Sequence, residues 1–364
     1  MKARPILKSP GFGLLALRPT PAPFPFGHPG SMLCFNARAA IWHGLHAIGL
    51  QRGDRILMPA YHCGSEVDVV MKAGMEPVFY PLDRGLKADL EQVRSLAQTG
   101  CAAIYGIDYF GYPQPEEVAA IARPLGLKVI TDMALGLYSA DGSGAANGIA
   151  SDMAVFSLVK SLAVPEGGIL YLDEQWRGLL PGTLARPPLL RSLAAMKPLL
   201  LSRLRLRAVA PPVHGGDDGN DEWDPHAMFA RNHAEWSASR FGDALLARSD
   251  HERNARVRRR NYDLLHEGLR DGGANRPLLP PRPNQACPAF FPLWSDDPEA
   301  AVRLARGAGI EAVRFWRRPH PSVDLDPFPF AKALRQHVIR LPVHPDITAD
   351  DIDRMADLFA GKRS

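Results

Sequence analysis

The chain has 364 residues, 46% of them hydrophobic and 23% charged, which is typical of a globular protein with about two domains. Its net charge of +4 is too small to indicate a nucleic-acid-binding protein, and no run of about 18 apolar residues predicts a transmembrane helix. The four cysteines form no CxxC pair, which argues against a disulfide framework or a cysteine-based zinc site and favours a reducing cytoplasm.

The first 30 residues predict an extended arm rather than a folded unit. They contain seven prolines and no clear hydrophobic period, and Pro10 interrupts the short apolar stretch, which argues against a signal peptide. We expect this arm, residues 1–30, to lie on a partner subunit. Two domains are predicted after it, a large one over 31–235 and a linking helix with a small domain over 236–364.

From Asn36 to Asp132 the sequence alternates between helical and strand patterns. Asn36 is a good N-cap, and Gly49 is a good stop for the helix that follows it. Further helices are predicted at 64–73, 88–97 and 115–124, with strands at 55–59, 77–83, 101–107 and 127–132. Strands that alternate with helices of about ten residues predict a parallel sheet with right-handed crossovers.

The second half of the chain predicts a hairpin and then a small α+β domain. Two apolar strands, 154–159 and 168–173, are joined by a short connection, and residues 215–224 are typical of a solvated acidic loop. The later predicted elements are a helical block at 226–271, a strand at 289–294, a helix at 298–308, a strand-like piece at 311–316 and a helix at 349–360. Thr348 and Asp351 predict a capping box for that last helix.

Residues 187–207 mix leucines with arginines, which allows contact with a membrane surface or a lipid substrate. Pro198 is expected to break any long helix there, and the final residues of the stretch alternate with a period of two. A partly buried insertion is therefore favoured over membrane contact.

Lys160 is singled out because lysine is scarce and because its surroundings are apolar. The chain has only nine lysines, and this one lies between Leu158-Val159 and Leu162-Ala163-Val164. An ammonium group that loses hydration has a lowered pKa, and a neutral amine is what imine formation with an aldehyde requires. The alternative is a lysine whose stem is buried while its head reaches water.

Two further features precede Lys160 in the sequence, a helix start that can bind a phosphate and an aspartate at the end of a strand. The helix that begins at Asn36 has small residues at Ala37, Ala39 and Ala40, so its amides can approach a phosphate closely. Asp132 ends an apolar strand, where an open α/β sheet binds ligands and where a carboxylate can pair with a protonated pyridine nitrogen. Ordinary helix capping and a strand-end aspartate are the alternatives. A phosphate-binding helix, an aspartate and then a lysine followed by Glu-Gly-Gly is the order found in pyridoxal-phosphate enzymes of fold type I.

The chain resembles the DegT/DnrJ/StrS family of sugar aminotransferases over residues 33–361. The segments that carry the resemblance are NARAAIWHGLHAIGLQRGDRILMPAYHC (36–63), KAGMEPVFYPLD (72–83), DYFGYPQPEEVAAIARPLGLKVITD (108–132), SDMAVFSLVKSLAVPEGGIL (151–170) and LPVHPDITADDIDRM (341–355). The resemblance implies an α/β fold of the fold-type-I pyridoxal-phosphate transferases, with a mainly parallel seven-stranded sheet and a small C-terminal α+β domain. It also implies pyridoxal 5'-phosphate as cofactor, a cytoplasmic homodimer with shared active sites, and no nucleic-acid partner.

The resemblance assigns roles to five residues. Lys160 would form the Schiff base with the cofactor and shuttle protons, and Asp132 would pair with the pyridine nitrogen. The amides of Ala37 and Arg38 and the hydroxyl of Ser157 would hold the phosphate.

This sequence departs from the family pattern at several positions. Leu135 stands where many members have a His or Gln near the phenolic oxygen of the cofactor. The aromatic residue that stacks on the cofactor ring falls on Cys63, with Tyr61 and His62 as alternatives. Asn232 is the candidate for the polar side chain that members send into the site of the partner subunit.

Two other groups of residues are candidates for chemistry. Arg317 and Arg318 could hold a substrate carboxylate or phosphate, or could form a solvated basic turn. His43 and His46 share a helix face but lie among core residues, so no metal site is predicted.

The predicted function is transfer of an amino group from an amino acid, with glutamate the expected donor, to the keto group of a nucleotide sugar or a similar metabolite. Both substrates are small molecules. A dehydration or elimination on the same cofactor is the alternative that Leu135 suggests. A non-catalytic relative that keeps the fold is the third hypothesis.

Overall fold

The computed structural model describes residues 5–11, 15–16, 18–113, 115–141, 143–203 and 229–361. Its strands are β1 (Ser31–Cys34), β2 (Arg55–Pro59), β3 (Glu76–Tyr80), β4 (Cys101–Ile107), β5 (Lys128–Asp132), β6 (Met153–Ser157), β7 (Gly168–Leu172), β8 (Asn275–Pro277), β9 (Phe290–Ser295), β10 (Val313–Arg314) and β11 (Val338–Pro342). Its α-helices are α1 (Ala37–Ala47), α2 (Ser65–Lys72), α3 (Leu90–Ala97), α4 (Pro115–Ala122), α5 (Leu189–Arg203), α6 (Arg240–Leu246), α7 (His251–Gly268), α8 (Pro298–Gly307), α9 (Pro329–His337) and α10 (Ala349–Phe359).

A mainly parallel seven-stranded sheet forms the centre of the large domain. Its strand order is β1-β7-β6-β5-β4-β2-β3. Five neighbouring strands run parallel, namely β3, β2, β4, β5 and β6. The strand β7 pairs antiparallel with both β6 and β1. The predicted α/β fold with a mainly parallel sheet is therefore confirmed. The antiparallel end arises because β6 and β7 form a hairpin, which needs no crossover helix.

The C-terminal part has a separate four-stranded antiparallel sheet of order β10-β11-β9-β8. Helix α10 packs against α7, the long helix that links the two sheets. It begins with the predicted capping box: the Thr348 hydroxyl accepts the Asp351 amide at 3.3 Å, and Asp351 Oδ2 accepts the Thr348 amide at 3.1 Å. The predicted small α+β domain thus has its own sheet, although α9 and β11 were not predicted.

The predicted helical block 226–271 is wrong as a single element. Its described part splits into a 3₁₀ turn at Arg231–Glu235 and the separate helices α6 and α7. Each helix starts at its own N-cap, Ser239 and Asp250, whose side chains accept amides three residues later. The predicted acidic loop at 215–224 lies outside the described residues.

The expectation that Pro198 breaks a helix is also wrong. Helix α5 runs through Pro198, although this residue lacks the amide donor and its ring crowds the carbonyl four residues earlier. Leu189, Leu190 and Leu193 on this helix are exposed, and contact with a lipid stays the less favoured alternative to a partly buried insertion. Within the described residues, no helix combines the length and the apolarity that crossing a bilayer would require.

The N-terminal arm lies against the small domain of its own chain. Ile6 exchanges backbone hydrogen bonds with Gly309 and Glu311 at 2.9 and 2.8 Å. The Leu7 carbonyl bonds His344 Nε2 at 2.7 Å, and the Gly11 amide bonds Asp346. The described part of the arm therefore contacts residues of its own chain, and its contact with a partner subunit stays a prediction.

Gly168 brings β7 into direct contact with the start of α1. It pairs with Cys34 of β1 and with Ser157 of β6. A Cβ at position 168 would lie well inside contact distance of backbone atoms of Asn36 and Ala37. Only a glycine allows the helix to begin so close to the sheet.

Arg258 of α7 ties the linking helix to the connection that carries Lys160. Its guanidinium is 1% exposed and donates to the carbonyls of Ser161 at 2.8 Å, Lys160 at 3.4 Å and Ala289 at 2.8 Å. Asn254, one turn earlier, donates to the same Ser161 carbonyl at 2.9 Å. These bonds from α7 fix the backbone around Lys160.

Replacing Gly168 with Ala should lower the free energy of unfolding by at least about 2 kcal/mol, because the new methyl group meets backbone that cannot move aside. Gly178→Ala is the matched control, since nothing lies within 4 Å of a Cβ there; it should change stability by less than about 0.5 kcal/mol. Urea unfolding of the purified variants measures both. Equal stability of the Gly168→Ala and Gly178→Ala variants would contradict the close approach.

Replacing Arg258 with Met should cost about 2–4 kcal/mol, because it leaves buried carbonyl groups without donors. Arg256→Met on the same helix is the control: Arg256 is exposed and pairs only with Glu252 at 3.3 Å. That pair contributes little, so the control should stay within about 0.5 kcal/mol of wild type. Thermal and urea unfolding at neutral pH compare the two variants. A wild-type-like Arg258→Met protein would show that the bonds to the Lys160 connection carry no stability.

Candidate active site

The candidate site lies at the carboxyl ends of the central strands. Asp132 is the last residue of β5, Ser157 is the last residue of β6, and Lys160 ends the 3₁₀ turn that follows. Asp132 pairs with Val155 in the register of these neighbouring strands. The edge where parallel strands end is where open α/β sheets bind their ligands.

Asp132 is buried and held as a hydrogen-bond acceptor on both oxygens. Oδ1 accepts the Ala134 amide at 2.8 Å, and Oδ2 accepts the Tyr105 hydroxyl at 2.8 Å. Burial raises the pKa of Asp132, while the charge of Lys160 and these two hydrogen bonds oppose that rise. A carboxylate with two donors in place suits a cationic partner such as a protonated pyridine nitrogen.

Lys160 is partly buried, and its charge acts on both Asp132 and Glu66. The predicted strand 154–159 ends earlier than expected, at Ser157, where pairing with β7 stops at Gly168. Val159 consequently turns outward and is 39% exposed. The turn, rather than a strand, presents Lys160 at the edge of the sheet.

Glu66 is a third ionisable group in this site. It is 3% exposed, and its Oε1 accepts the Cys63 amide at 2.9 Å. Burial, and to a smaller extent the charge of Asp132, raise the pKa of Glu66 to about 7. The charge of Lys160 acts in the opposite direction and lowers it. Asp132, Glu66 and Lys160 therefore influence one another electrostatically.

The N-terminus of α1 could form an anion-binding corner beside these groups. The side chain of Asn36 accepts the Ala39 amide at 2.9 Å, as predicted for an N-cap, and the Ala40 amide bonds the Asn36 carbonyl at 3.1 Å. The amide of Ala37, the first helical residue, has no acceptor within the helix. Gly168 lies against this peptide and pairs with Ser157, so the helix start and the Ser157 backbone adjoin.

Basic side chains surround the same helix start. Arg191 of α5 lies over the rings of Phe35 and Trp236, with its guanidinium carbon 5.2 and 5.3 Å from the ring centroids, and contacts His233 Nε2 at 2.8 Å. Burial and the charges of Arg191 and Arg38 lower the pKa of His233. The charge of Arg191 and the helix dipole both favour an anion such as a phosphate here.

The other sequence-predicted residues occupy different surroundings. The ring of Tyr61 is buried against Tyr109 and Trp316, with centroids 5.9 and 5.2 Å away. The ring of His62 is fully buried and stacks on Phe79 at 5.5 Å. The structure thus packs both rings against protein, and their predicted role on the cofactor ring stays a prediction.

Asn232 and the two arginines lie toward the surface. Asn232 is exposed in the 3₁₀ turn before α6, so its predicted role in a partner's site is compatible with its position. Arg317 pairs with Glu299 at 3.8 Å, and the Arg318 carbonyl accepts Arg335 Nη1 at 3.0 Å. Neither arginine is brought to Lys160 by a hydrogen bond or ion pair that we observe.

Arg335 joins the small domain to the strand β2 end of the site. It is buried, and it donates to the carbonyls of Trp316 at 2.7 Å and Ala60 at 3.2 Å. Trp316 has a backbone φ of 45°, which is unusual for a residue with a side chain and is held by this contact. The guanidinium carbon of Arg335 also lies 5.4 Å from the ring centroid of Tyr61.

The residues present fit pyridoxal phosphate by their chemistry. The cofactor needs an anion site for its phosphate, a carboxylate for its ring nitrogen and an amine for its aldehyde. The start of α1, the twice-bonded carboxylate of Asp132 and the amine of Lys160 provide these three groups at one sheet edge. In the described part of the chain, no three His, Cys, Asp or Glu side chains form a cluster that could hold a metal ion.

Sequence reasoning missed three residues that shape this site: Tyr105, Glu66 and Arg258. Tyr105 reaches Asp132 across 27 residues of sequence and Arg258 reaches Ser161 across 97, so no local pattern reveals these contacts. Glu66 was visible as an acidic residue in a predicted helix. Its burial follows from how α2 packs, which only the structure shows.

Comparisons with known proteins agree with this geometry. Residues 27–176 match the model of the DegT/DnrJ/EryC1/StrS aminotransferase family. The fold is similar to that of a family aminotransferase from Brucella abortus, with a TM-score of 0.63 and 18% identity over 91% of this chain and 85% of that one.

Two further solved structures share the fold. One is a sugar aminotransferase of Streptococcus pneumoniae in its PMP form, with a TM-score of 0.69 and 14% identity over 98% of this chain and 97% of that one. The other is a GDP-4-keto-6-deoxymannose-3-dehydratase with bound GDP-perosamine, with a TM-score of 0.65 and 16% identity over 90% and 88% of the two chains. Residues 27–176, less than half of the chain, are therefore similar to the DegT/DnrJ/EryC1/StrS aminotransferase family, and the three solved structures show the same fold.

Proposed function

We propose that this enzyme transfers an amino group from an amino acid, with glutamate as the first candidate, to the keto group of a nucleotide sugar or a similar keto metabolite. The observation that supports it most is the convergence of Lys160 and Asp132 at one sheet edge beside the start of α1. The family match supports the reaction class, and the anion-binding corner supports the cofactor phosphate.

Each side chain in the proposal has a defined task. Bound pyridoxal phosphate supplies an aldehyde that condenses with amines and a ring that withdraws electrons. The amine of Lys160 receives and returns the proton that must move between two carbon atoms of the transfer, as a general base and then a general acid. Asp132 keeps a proton on the ring nitrogen, because its carboxylate is already held by Tyr105 and the Ala134 amide.

The phosphate would be held at the corner where α1 meets β7. The amides of Ala37 and Arg38 and the hydroxyl of Ser157 are the proposed ligands, and the positive end of the helix dipole assists them. Ser157 is almost fully buried, so a bound phosphate oxygen would satisfy its hydroxyl away from water.

Dehydration or elimination on the same cofactor is the second candidate. Leu135 is buried in the apolar core, where many family members place a His or Gln near the phenolic oxygen of the cofactor. A leucine cannot donate that hydrogen bond or move a proton, so the chemistry at this side of the cofactor differs. A dehydratase shares the fold, which keeps this reaction in view.

We also propose a cytoplasmic homodimer with shared active sites. The exposed turn that carries Asn232 lies next to the basic groups around α1, and it is the segment proposed to enter the site of the partner. The absence of CxxC pairs is compatible with a reducing compartment.

The Lys160→Ala variant should lose the visible absorption band of the bound cofactor and roughly 1,000-fold or more of turnover, because its methyl group cannot form an imine or move a proton. Lys87→Ala, which changes an exposed lysine, should keep both. Absorbance spectra of protein purified with added pyridoxal phosphate measure the band. A colourless wild type, or a coloured Lys160→Ala protein, would refute the assignment.

Glutamate alone should convert the wild-type enzyme to the pyridoxamine form of its cofactor, because the first half of transamination needs no acceptor. The spectrum during a glutamate titration reports this conversion. Loss of the visible band without a keto acid product, or no change with any amino acid tested, would favour the dehydration or elimination reaction instead.

A further inference from the structure

Glu66 is a buried carboxyl group that lacks the ion pair its burial would ordinarily require. It lies in the first turn of α2 and is 3% exposed, yet in the described part of the structure no Lys or Arg nitrogen comes within 4.0 Å of it. Asp68 on the same helix is equally buried and pairs with Lys72 at 3.0 Å. Burying an unpaired carboxylate is costly, so Glu66 calls for a reason beyond stability.

The hydrogen bonds of Glu66 point at the backbone next to the site. Oε1 accepts the amide of Cys63 at 2.9 Å, and Oε2 lies 3.3 Å from the hydroxyl of Ser65. Between them, Gly64 has a φ of 98°, which turns the chain sharply into α2. Cys63 falls where the family resemblance puts the residue over the cofactor ring, so Glu66 holds the backbone of that position.

Charged and titratable groups from several elements face Glu66. They are Asp132 of β5, Lys160 of the turn after β6, Tyr105 of β4, Tyr109 after β4, and Arg335 of α9. Asp132 opposes a second negative charge there, and Lys160 favours one. The carboxyl group therefore responds to the charge state of the same two residues that the proposed function uses.

We propose that Glu66 is a positioning residue of the aminotransferase site, whose carboxyl group fixes the Cys63 backbone and shares the buried charge of Asp132 and Lys160. This proposal rests on the proposed function for the roles of those two residues. Protonated Glu66 leaves Asp132 as the single negative charge beside Lys160. Ionised Glu66 adds a second negative charge, which favours a proton on the nitrogen groups of the site.

A simple capping role for Glu66 predicts something different. A side-chain oxygen that only accepts the Cys63 amide can be replaced by the amide oxygen of glutamine, which has nearly the same shape. Glu66→Gln would then leave the pH dependence of the bound cofactor's absorbance unchanged. If the charge of Glu66 matters, the same variant changes how the site depends on pH.

The first test uses cofactor-free protein and needs no activity. In the folded state the pKa of Glu66 is about 7, against an ordinary value of 4.5, so folded protein binds more protons than unfolded protein between those values. The contribution of Glu66 to stability is therefore present below about pH 4.5 and is lost as the pH rises through 7. The urea midpoint of Glu66→Gln relative to wild type should rise between pH 5 and pH 8, and an unchanged difference would overturn the proposal.

A carbon-13 titration of the carboxyl groups in wild-type protein checks the same point without any variant. One carboxyl signal should titrate near neutral pH and be absent from the Glu66→Gln spectrum. If every carboxyl group of the wild type titrates below about pH 5, Glu66 does not share charge with the site.

The second test uses the holoenzyme and its visible absorbance. The visible absorbance of the bound cofactor changes when the absorbing group loses its proton, and this change has a midpoint on the pH scale. The midpoint should lie about one pH unit lower in Glu66→Gln, because the variant removes a negative charge that stabilises the protonated form. Asp68→Asn is the matched control, because it neutralises an equally buried acid two residues away that pairs with Lys72 instead. An equal shift in both variants, or none in Glu66→Gln, would overturn the proposal.

These outcomes separate the proposal from the proposed function. Loss of glutamate conversion with an intact absorbance band would count against transamination and leave the Glu66 measurements unaffected. A normal half-reaction in wild type together with an unshifted Glu66→Gln midpoint would keep the aminotransferase and remove Glu66 from its site.

Discussion

The close approach of Gly168 to the Asn36–Ala37 peptide is the constraint on which the site depends. Because no side chain separates β7 from the start of α1, the helix begins directly at the edge of the sheet. Gly168 also pairs with Ser157, so the hairpin that holds this glycine ends β6 just before the turn to Lys160. One short backbone contact thereby joins the helix end that we propose binds an anion to the strand that precedes the turn with Lys160.

The charged side chains of the site are positioned by hydrogen bonds from residues that take no part in the proposed reaction. Tyr105 donates to Asp132, and Arg258 donates to the carbonyls of Lys160 and Ser161. The buried guanidinium of Arg258 is bonded only to neutral oxygens, so its desolvation is costly. Here it fixes the backbone that carries Lys160, whose side chain is long and flexible. Arg335 performs the same task between the two domains, since it bonds the Ala60 and Trp316 carbonyls.

Local patterns predicted the parts of this site that depend on neighbouring residues. The N-cap Asn36, the strand-end Asp132 and the apolar run around Lys160 are each readable within ten residues, and the family resemblance added their roles. Partners that meet through the fold, such as Tyr105 and Arg258, leave no local signal. Pro198 misled for the opposite reason, because a strong local rule was overridden by a helix that tolerates one missing hydrogen bond.

We propose that Lys160, among the nine lysines of the chain, is the residue joined to pyridoxal phosphate. Borohydride reduction of the holoenzyme makes that linkage permanent, and peptide mass spectrometry locates it. We expect a pyridoxyl phosphate label confined to the peptide that contains Lys160. A label on any other lysine, or no labelled peptide from a coloured enzyme, would contradict it.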